Sequence, residues 1–182
     1  ALPELHIFTY NLDKHMPGYM DVEDSAFNFR EFFRTWTGNV QKDFKPMPDG
    51  TRVGDFVHKA DVKKFLDFMC ASDDKSNYPF STQEYREFFR HSLWILPGVK
   101  EAKALSALLK EHSVFGSGAF NIVNVAGNGD EEIDSRDALD AVRRAFGDNP
   151  DETYSITLSC GRLTTGVTVP EWTAVFMLAG TF

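Results

Sequence analysis

Cysteine is scarce in this chain of 182 residues, and long apolar runs are missing. The two cysteines, Cys70 and Cys160, lie far apart and form no Cys-x-x-Cys motif. This usage favours a reducing compartment, so we expect a cytoplasmic protein. No apolar run approaches the ~18 residues that a membrane span needs, and no basic start precedes an apolar stretch, so the sequence predicts neither a membrane partner nor a signal peptide.

An excess of basic residues is also missing. Lys and Arg total 19 against 27 Asp and Glu, which gives a formal net charge of −8. This balance excludes a broadly basic surface of the kind that binds nucleic acids through charge alone. The apolar fraction of 42% and the charged fraction of 25% are those of a globular protein. The length suits one domain, or one domain that carries a large insert.

Most motifs of catalysis and metal binding are absent. The chain contains no Gly-Lys pair and therefore no P-loop. Its five histidines show no metal-pair spacing, and no metal site is predicted. The acidic run 130–132 is separated from the preceding strand by Gly-Asn-Gly, which favours a solvated loop over magnesium ligands. Glu101 and Lys103 have the spacing of a restriction-type nuclease motif, but they fall on a predicted helix and favour an ordinary surface. No catalytic residue is predicted.

Phenylalanine is abundant by contrast: it occurs 17 times, and 11 of these residues lie between Phe27 and Phe89. Three stretches of this region place apolar residues at helical spacing. They are Ala26–Trp36, Asp61–Ala71 with Asp61 as its N-cap, and Ser81–Phe89 with a capping box from Ser81 to Glu84. Leu5–Tyr10 is predicted as a strand and Asn11–Ser25 as a loop. We therefore expect a first strand in residues 1–10 and a Phe-rich helical insert or subdomain with its own core in residues 11–90.

The second half of the chain alternates strands with helices. The predicted strands are Ser92–Leu96, Phe120–Ala126, Tyr154–Ser159 and Ala174–Leu178, and the predicted helices are Val99–His112 and Ser135–Phe146. This order is typical of β-α-β crossovers, so the sequence predicts an α/β fold with a parallel sheet and flanking helices.

The loop between the last two predicted strands is the most informative stretch. It contains Gly161, Arg162, Thr164, Thr165 and Gly166. Such a loop follows the carboxyl end of a parallel strand, where open α/β sheets bind their ligands. Backbone amides freed by glycine and hydroxyls from threonine can hold a phosphate without a net positive charge. The alternative interpretation is a crossover turn that binds nothing.

This loop resembles motif V of the superfamily 2 helicases. Residues 166–170, Gly-Val-Thr-Val-Pro, follow the pattern Gly-hydrophobic-Asp-hydrophobic-Pro, with Thr168 at the position of the Asp. The run 161–170 is most similar to large helicases related to type III and type I restriction enzymes. Residues 92–98 and the helix after them are similar to the motif IV region of the same group. The resemblance covers residues 91–182.

The resemblance implies a partial RecA-like sheet, namely an incomplete second, C-terminal helicase domain over residues 91–182. The implied function is that of a fragment of an ATP-dependent helicase or translocase, DNA-directed and of restriction-enzyme type. ATP and Mg would bind to the full-length protein, whose first RecA-like domain carries the P-loop and is a partner missing from this sequence. The fragment alone is expected to be inactive.

Roles carry over only where residues match the family pattern. Thr164, Thr165 and Gly166 would contact the backbone phosphates of DNA, as would Pro97 and Gly98 after the motif IV strand. Thr168 takes a position that faces the nucleotide. The alternative function is a non-catalytic protein- or nucleic-acid-binding module that works through the helical insert. A P-loop domain before this segment and an arginine motif after it would distinguish the two.

Overall fold

The first half of the chain forms short elements around two longer helices. The computed structural model describes residues 11–21, 26–39, 50–71, 78–127, 135–160 and 169–180. Its elements up to residue 90 are α1 (Leu12–His15), β1 (Met20–Asp21), β2 (Ala26–Phe27), α2 (Phe29–Phe32), α3 (Lys59–Cys70) and α4 (Gln83–Phe88). β1 and β2 pair in an antiparallel ribbon.

The second half forms a parallel sheet with helices between its strands. In chain order its elements are β3 (His91–Ile95), α5 (Val99–Glu111), β4 (Asn121–Asn124), α6 (Ser135–Phe146), a short 3₁₀ turn (Pro150–Glu152), β5 (Ser155–Ser159) and β6 (Ala174–Met177). The strand order is β4-β5-β3-β6, and all three pairings are parallel. The predicted α/β fold is therefore confirmed, and the arrangement is consistent with a partial RecA-like sheet.

Side-chain alternation divides the sheet into two faces. On the face that we call the aromatic face, Trp94, Ile156 and Phe176 join the main apolar cluster, to which α5 contributes Leu105 and Leu109. The opposite face, the α6 face, has a smaller cluster in which Val142 and Phe146 of α6 pack with Val125. Helices α5 and α6 therefore lie on opposite sides of the sheet, as expected for crossovers that leave it in opposite directions.

Phe80 joins the helical first half to the sheet. Its ring centroid lies 5.1 Å from that of Phe115, 5.7 Å from that of Phe176 and 6.1 Å from that of Trp94. Phe32 and Phe33 belong to the same continuous cluster as these sheet residues. The prediction of a private core for the Phe-rich segment is therefore wrong: its buried phenylalanines, Phe32, Phe33 and Phe80 among them, share one apolar cluster with the sheet.

The predicted helix Ala26–Trp36 is largely wrong. Its first residues form β2, and only Phe29–Phe32 is helical. The Asn28 side chain caps this single turn by accepting the amide of Glu31 at 3.0 Å. Beyond the turn, Thr35 pairs with Phe56 in an antiparallel bridge. Pairing with a distant segment has therefore replaced the helix that the aromatic periodicity predicted.

Two predicted helix starts shift by one to three residues. His58 rather than Asp61 is the N-cap of α3, and the Asp61 carboxylate instead accepts the Tyr19 hydroxyl at 2.5 Å. Thr82 rather than Ser81 caps α4, because the Thr82 hydroxyl accepts the amide of Tyr85. The predicted loop Asn11–Ser25 contains α1 and β1, and the predicted strand Leu5–Tyr10 lies outside the described residues.

Candidate phosphate-binding edge of the sheet

The carboxyl ends of the four strands meet at one edge of the sheet, because all the strands are parallel. Ile95 at the end of β3 is the register partner of Ser159 at the end of β5. One residue further on, the Leu96 amide donates to the Ser159 carbonyl at 2.8 Å. Pro97 and Gly98 therefore leave the sheet directly beside the start of the loop that follows β5.

The residues predicted to contact phosphate and nucleotide from the loop after β5 lie outside the part of the chain that the structure describes. Thr164, Thr165, Gly166 and Thr168 all lie outside the described residues, as does Arg162. What the structure gives is the position of the two loop origins, on neighbouring strands and at the same edge.

The start of helix α5 at Gly98 has features that favour the binding of an anion. Gly98 is the N-cap, its backbone is extended, and no side chain forms a capping hydrogen bond there. Its carbonyl accepts the Ala102 amide at 3.1 Å. The first amides of α5 are free of intrahelical partners and carry the positive end of the helix dipole, which favours negative charge at this position.

Glu101 occupies part of this helix start. An ideal Cβ on Gly98 would lie 2.6 Å from Oε2 of Glu101, so the carboxylate folds back against the glycine. An acidic side chain at the third helical position is stabilised by the dipole and is typical of capping boxes. A phosphate that approached Gly98 would have to displace this carboxylate. The Glu101 and Lys103 spacing on a helix favoured an ordinary surface for Glu101, whereas its position three residues after Gly98 is the sequence signal for this contact.

Cys160 connects the end of β5 to the loop after β4. Its Sγ lies 3.7 Å from the Ala126 carbonyl, within reach of a weak S–H donor bond. Ala126 is buried, and Gly127 follows it with φ +151°, a value that favours glycine. The loop after β4 therefore starts at the same edge as the other two. Neither Cys70 nor Cys160 forms a disulfide.

At the amino ends of the strands, opposite the candidate site, lies a buried histidine with a structural role. His91 Nε2 lies 2.7 Å from the Pro150 carbonyl, and Nδ1 lies 2.8 Å from the Ser155 hydroxyl. Because a carbonyl can only accept, Nε2 carries the hydrogen and Nδ1 accepts from Ser155. Burial lowers the pKa of His91, and the neighbouring Arg90 charge acts in the same direction.

No metal centre is found in the described part of the chain, where no three His, Cys, Asp or Glu side chains come close enough together to hold an ion. The helices among the described residues are also all too short or too polar to cross a bilayer.

Comparison with known proteins gives one informative relative. A protein of Mycoplasma pneumoniae named "Putative type II restriction enzyme and methyltransferase RM.MpnORF110P C-terminus" is 29% identical to this chain over 192 residues. The alignment covers 97% of this chain and 25% of that protein. The chain therefore spans about a quarter of the length of the curated relative that it matches. No family model matches the chain, and no solved structure matches it.

Proposed function

We propose that this chain is a nucleic-acid-directed module of a larger restriction-type enzyme. The similarity to the Mycoplasma pneumoniae protein supports this class, because it extends over almost the whole chain. The α/β fold supports it as well, since ligands of open parallel sheets bind at the carboxyl ends of the strands.

Within that class, we propose a motor role: the chain acts as the second RecA-like domain of a DNA helicase or translocase. The observation that carries this proposal is the adjacency of two loop origins. The loops predicted to contact DNA phosphates begin at Pro97 and after Cys160, and hydrogen-bonded neighbouring strands deliver them to one edge. Two adjacent phosphate contacts on one strand of DNA need this kind of side-by-side placement.

The chemistry proposed for this edge is binding, not bond cleavage. Amides at the start of α5 would hold one backbone phosphate, and the amides and hydroxyls around Thr164, Thr165 and Gly166 would hold the next. Thr168 would face the nucleotide. ATP and Mg would be held mainly by the missing first domain, and ATP hydrolysis would move the two domains relative to each other along the DNA.

The test uses the full-length parent protein. The substitution Thr165→Glu adds a negative charge where a phosphate is proposed to bind, so we expect DNA-stimulated ATP hydrolysis to fall about tenfold or more, in line with the 1.4 kcal/mol that a tenfold change requires. A matched control is Ser113→Glu, because Ser113 is exposed and lies away from this edge. DNA-stimulated hydrolysis that is the same in Thr165→Glu and in the unmodified protein would refute the motif V assignment.

A further inference from the structure

Strand β4 is the outermost strand on one side of the sheet that the described residues form. The Asn121 amide donates to the carbonyl of Tyr154, just before β5, at 2.8 Å, and the Val125 amide donates to the Leu158 carbonyl of β5 at 2.9 Å. Because backbone groups alternate along a strand, the N–H and C=O groups of Ile122 and Asn124 point away from β5. Within the described residues, neither backbone has a partner on that outer side. An unpaired row of this kind is a template for a further strand.

A groove of about 600 Å³ runs along this edge between the ends of α5 and α6. Its apolar lining includes Phe120, Ile122, Val123 and Ala141. Both faces of the sheet contribute to this lining, since Ile122 packs with the main cluster and Val123 with the α6 cluster. The groove could therefore accept the alternating side chains of an extended segment on both sides.

Two cations line the groove. Lys110 lies in the last turn of α5 and Arg144 in the last turn of α6, and both side chains are exposed. Neither forms an ion pair with another described residue. In a chain with a net charge of −8, two cations beside an apolar strand edge favour an acidic occupant.

We propose that this groove docks an extended, acidic peptide segment of a partner protein, which adds to β4 as a fifth strand. Apolar residues of the segment would enter the groove, and its carboxylates would pair with Lys110 and Arg144. Main-chain hydrogen bonds to Ile122 and Asn124 would supply affinity in the manner of β-strand addition. This proposal is independent of the DNA-binding edge, which lies at the carboxyl ends of the strands.

The lining favours a peptide over a nucleic acid as the occupant of the groove. Phe115 and Phe120 are 0% and 6% exposed, so neither presents a ring face on which a nucleic-acid base could stack.

The first measurement is fluorescence anisotropy with the full chain and a labelled decapeptide in which pairs of Glu alternate with pairs of Val, so that both faces of the strand carry both residues. We expect saturable binding of this peptide and at least tenfold weaker binding of the counterpart in which Lys replaces Glu. The double substitution Lys110→Glu/Arg144→Glu should weaken the acidic peptide at least tenfold. Lys63→Glu/Lys64→Glu, which reverses two exposed lysines on α3, should leave its binding unchanged.

The second measurement tests the strand geometry without altering the protein. A decapeptide of the same sequence that is N-methylated at two adjacent central residues loses a hydrogen-bond donor on each of its two edges, and we expect it to lose binding. Thermal unfolding of the charge-reversed variant should confirm that it is folded, since both cations also lie at helix ends. Equal binding of the methylated peptide, or of the Lys peptide, would overturn the proposal. The proposal would also be overturned if the chain bound a single-stranded oligonucleotide and not the acidic peptide, and if the double substitution abolished that oligonucleotide binding.

Discussion

His91 shows how one buried side chain can make the stability of this fold depend on pH. Its imidazole bridges the Pro150 carbonyl and the Ser155 hydroxyl, and its ring lies 4.5 Å from that of Phe146. These contacts fasten the start of β3 to the start of β5 and to the end of α6. Protonation would place a charge among buried neighbours, which is why the pKa of His91 lies below its usual value.

The sign of the pH effect follows from this shift. An unfolded histidine has a pKa of about 6.5, so below that pH the unfolded chain binds a proton that native His91 does not. We expect the free energy of unfolding to decrease as the pH falls below about 6.5, until the pH reaches the lower native pKa. Urea denaturation between pH 7.5 and pH 5 would measure this loss of stability.

The substitution His91→Gln isolates the contribution of this residue. Glutamine keeps an N–H donor for the Pro150 carbonyl but does not titrate. The variant should lose stability at pH 7.5, because its fit is poorer, and should show a smaller further loss between pH 7.5 and pH 5 than the unmodified chain. An identical pH dependence in both proteins would assign the effect to other groups.

At the scale of the elements, the long helices and the strands of the second half could be predicted from sequence. Helix α6 has the predicted bounds, Ser135–Phe146, and α5 ends one residue before its predicted end. Ala102, Leu105 and Leu109 lie on the buried face of α5, as the 3.6-residue period predicts. In such elements, the local pattern and the packing surface require the same conformation.

The short elements of the first half could not be predicted, because distant contacts decide their conformation. Thr35 and Trp36 pair with Phe56 and Asp55, about 20 residues away. The candidate site likewise has one part that could be predicted from the sequence and one part that could not. The position of Pro97 and Gly98 at a strand end was predictable from the alternation of elements, whereas the strand order that puts β5 beside β3 was not.

The Glu101 contact at the start of α5 gives a prediction for this helix. Replacing Glu101 with Gln removes a negative charge that the helix dipole stabilises and that a phosphate would have to displace. We expect the isolated chain to lose about 0.3–1 kcal/mol of stability and the full-length protein to bind DNA about two- to fivefold more tightly, which is the same energy range. Chemical denaturation and DNA titration at fixed salt would measure the two effects.

Lys103→Gln is the matched control, because Lys103 is exposed and lies two residues further along α5. It should not increase DNA affinity. If Glu101→Gln lowers stability but leaves DNA affinity unchanged, the start of α5 is a capped helix end and not a phosphate contact.

For the whole molecule, the shared core predicts a single unfolding unit. The rings of Phe32 and Phe33 belong to the same buried cluster as Trp94, and the partly buried Phe176 packs against this cluster. Phe65 links Phe32 and Phe33 to the rest of α3. The helical first half and the sheet should therefore unfold together, since neither can be removed without exposing the aromatic layer of the other.

Phe80→Leu tests this cooperativity. It removes a ring that contacts five other rings and should destabilise the chain by roughly 1–3 kcal/mol, less than the 3–5 kcal/mol typical of truncation to Ala. Hydrogen exchange should show equal losses of protection in α3 and in β3. Phe88→Leu, at a position 57% exposed, should change little. Loss of protection in α3 alone would indicate two independent units.

The strand order has a consequence for synthesis on the ribosome. β3 lies between β5 and β6, and both of these strands follow it in the chain. The later one, β6, ends at Met177, 82 residues after Ile95 at the end of β3. At about 5–20 residues per second, β3 would wait roughly 4–16 s for its last partner. During that interval the nascent chain carries an apolar strand with two unpaired edges, which makes it a natural client for a chaperone that binds extended apolar segments.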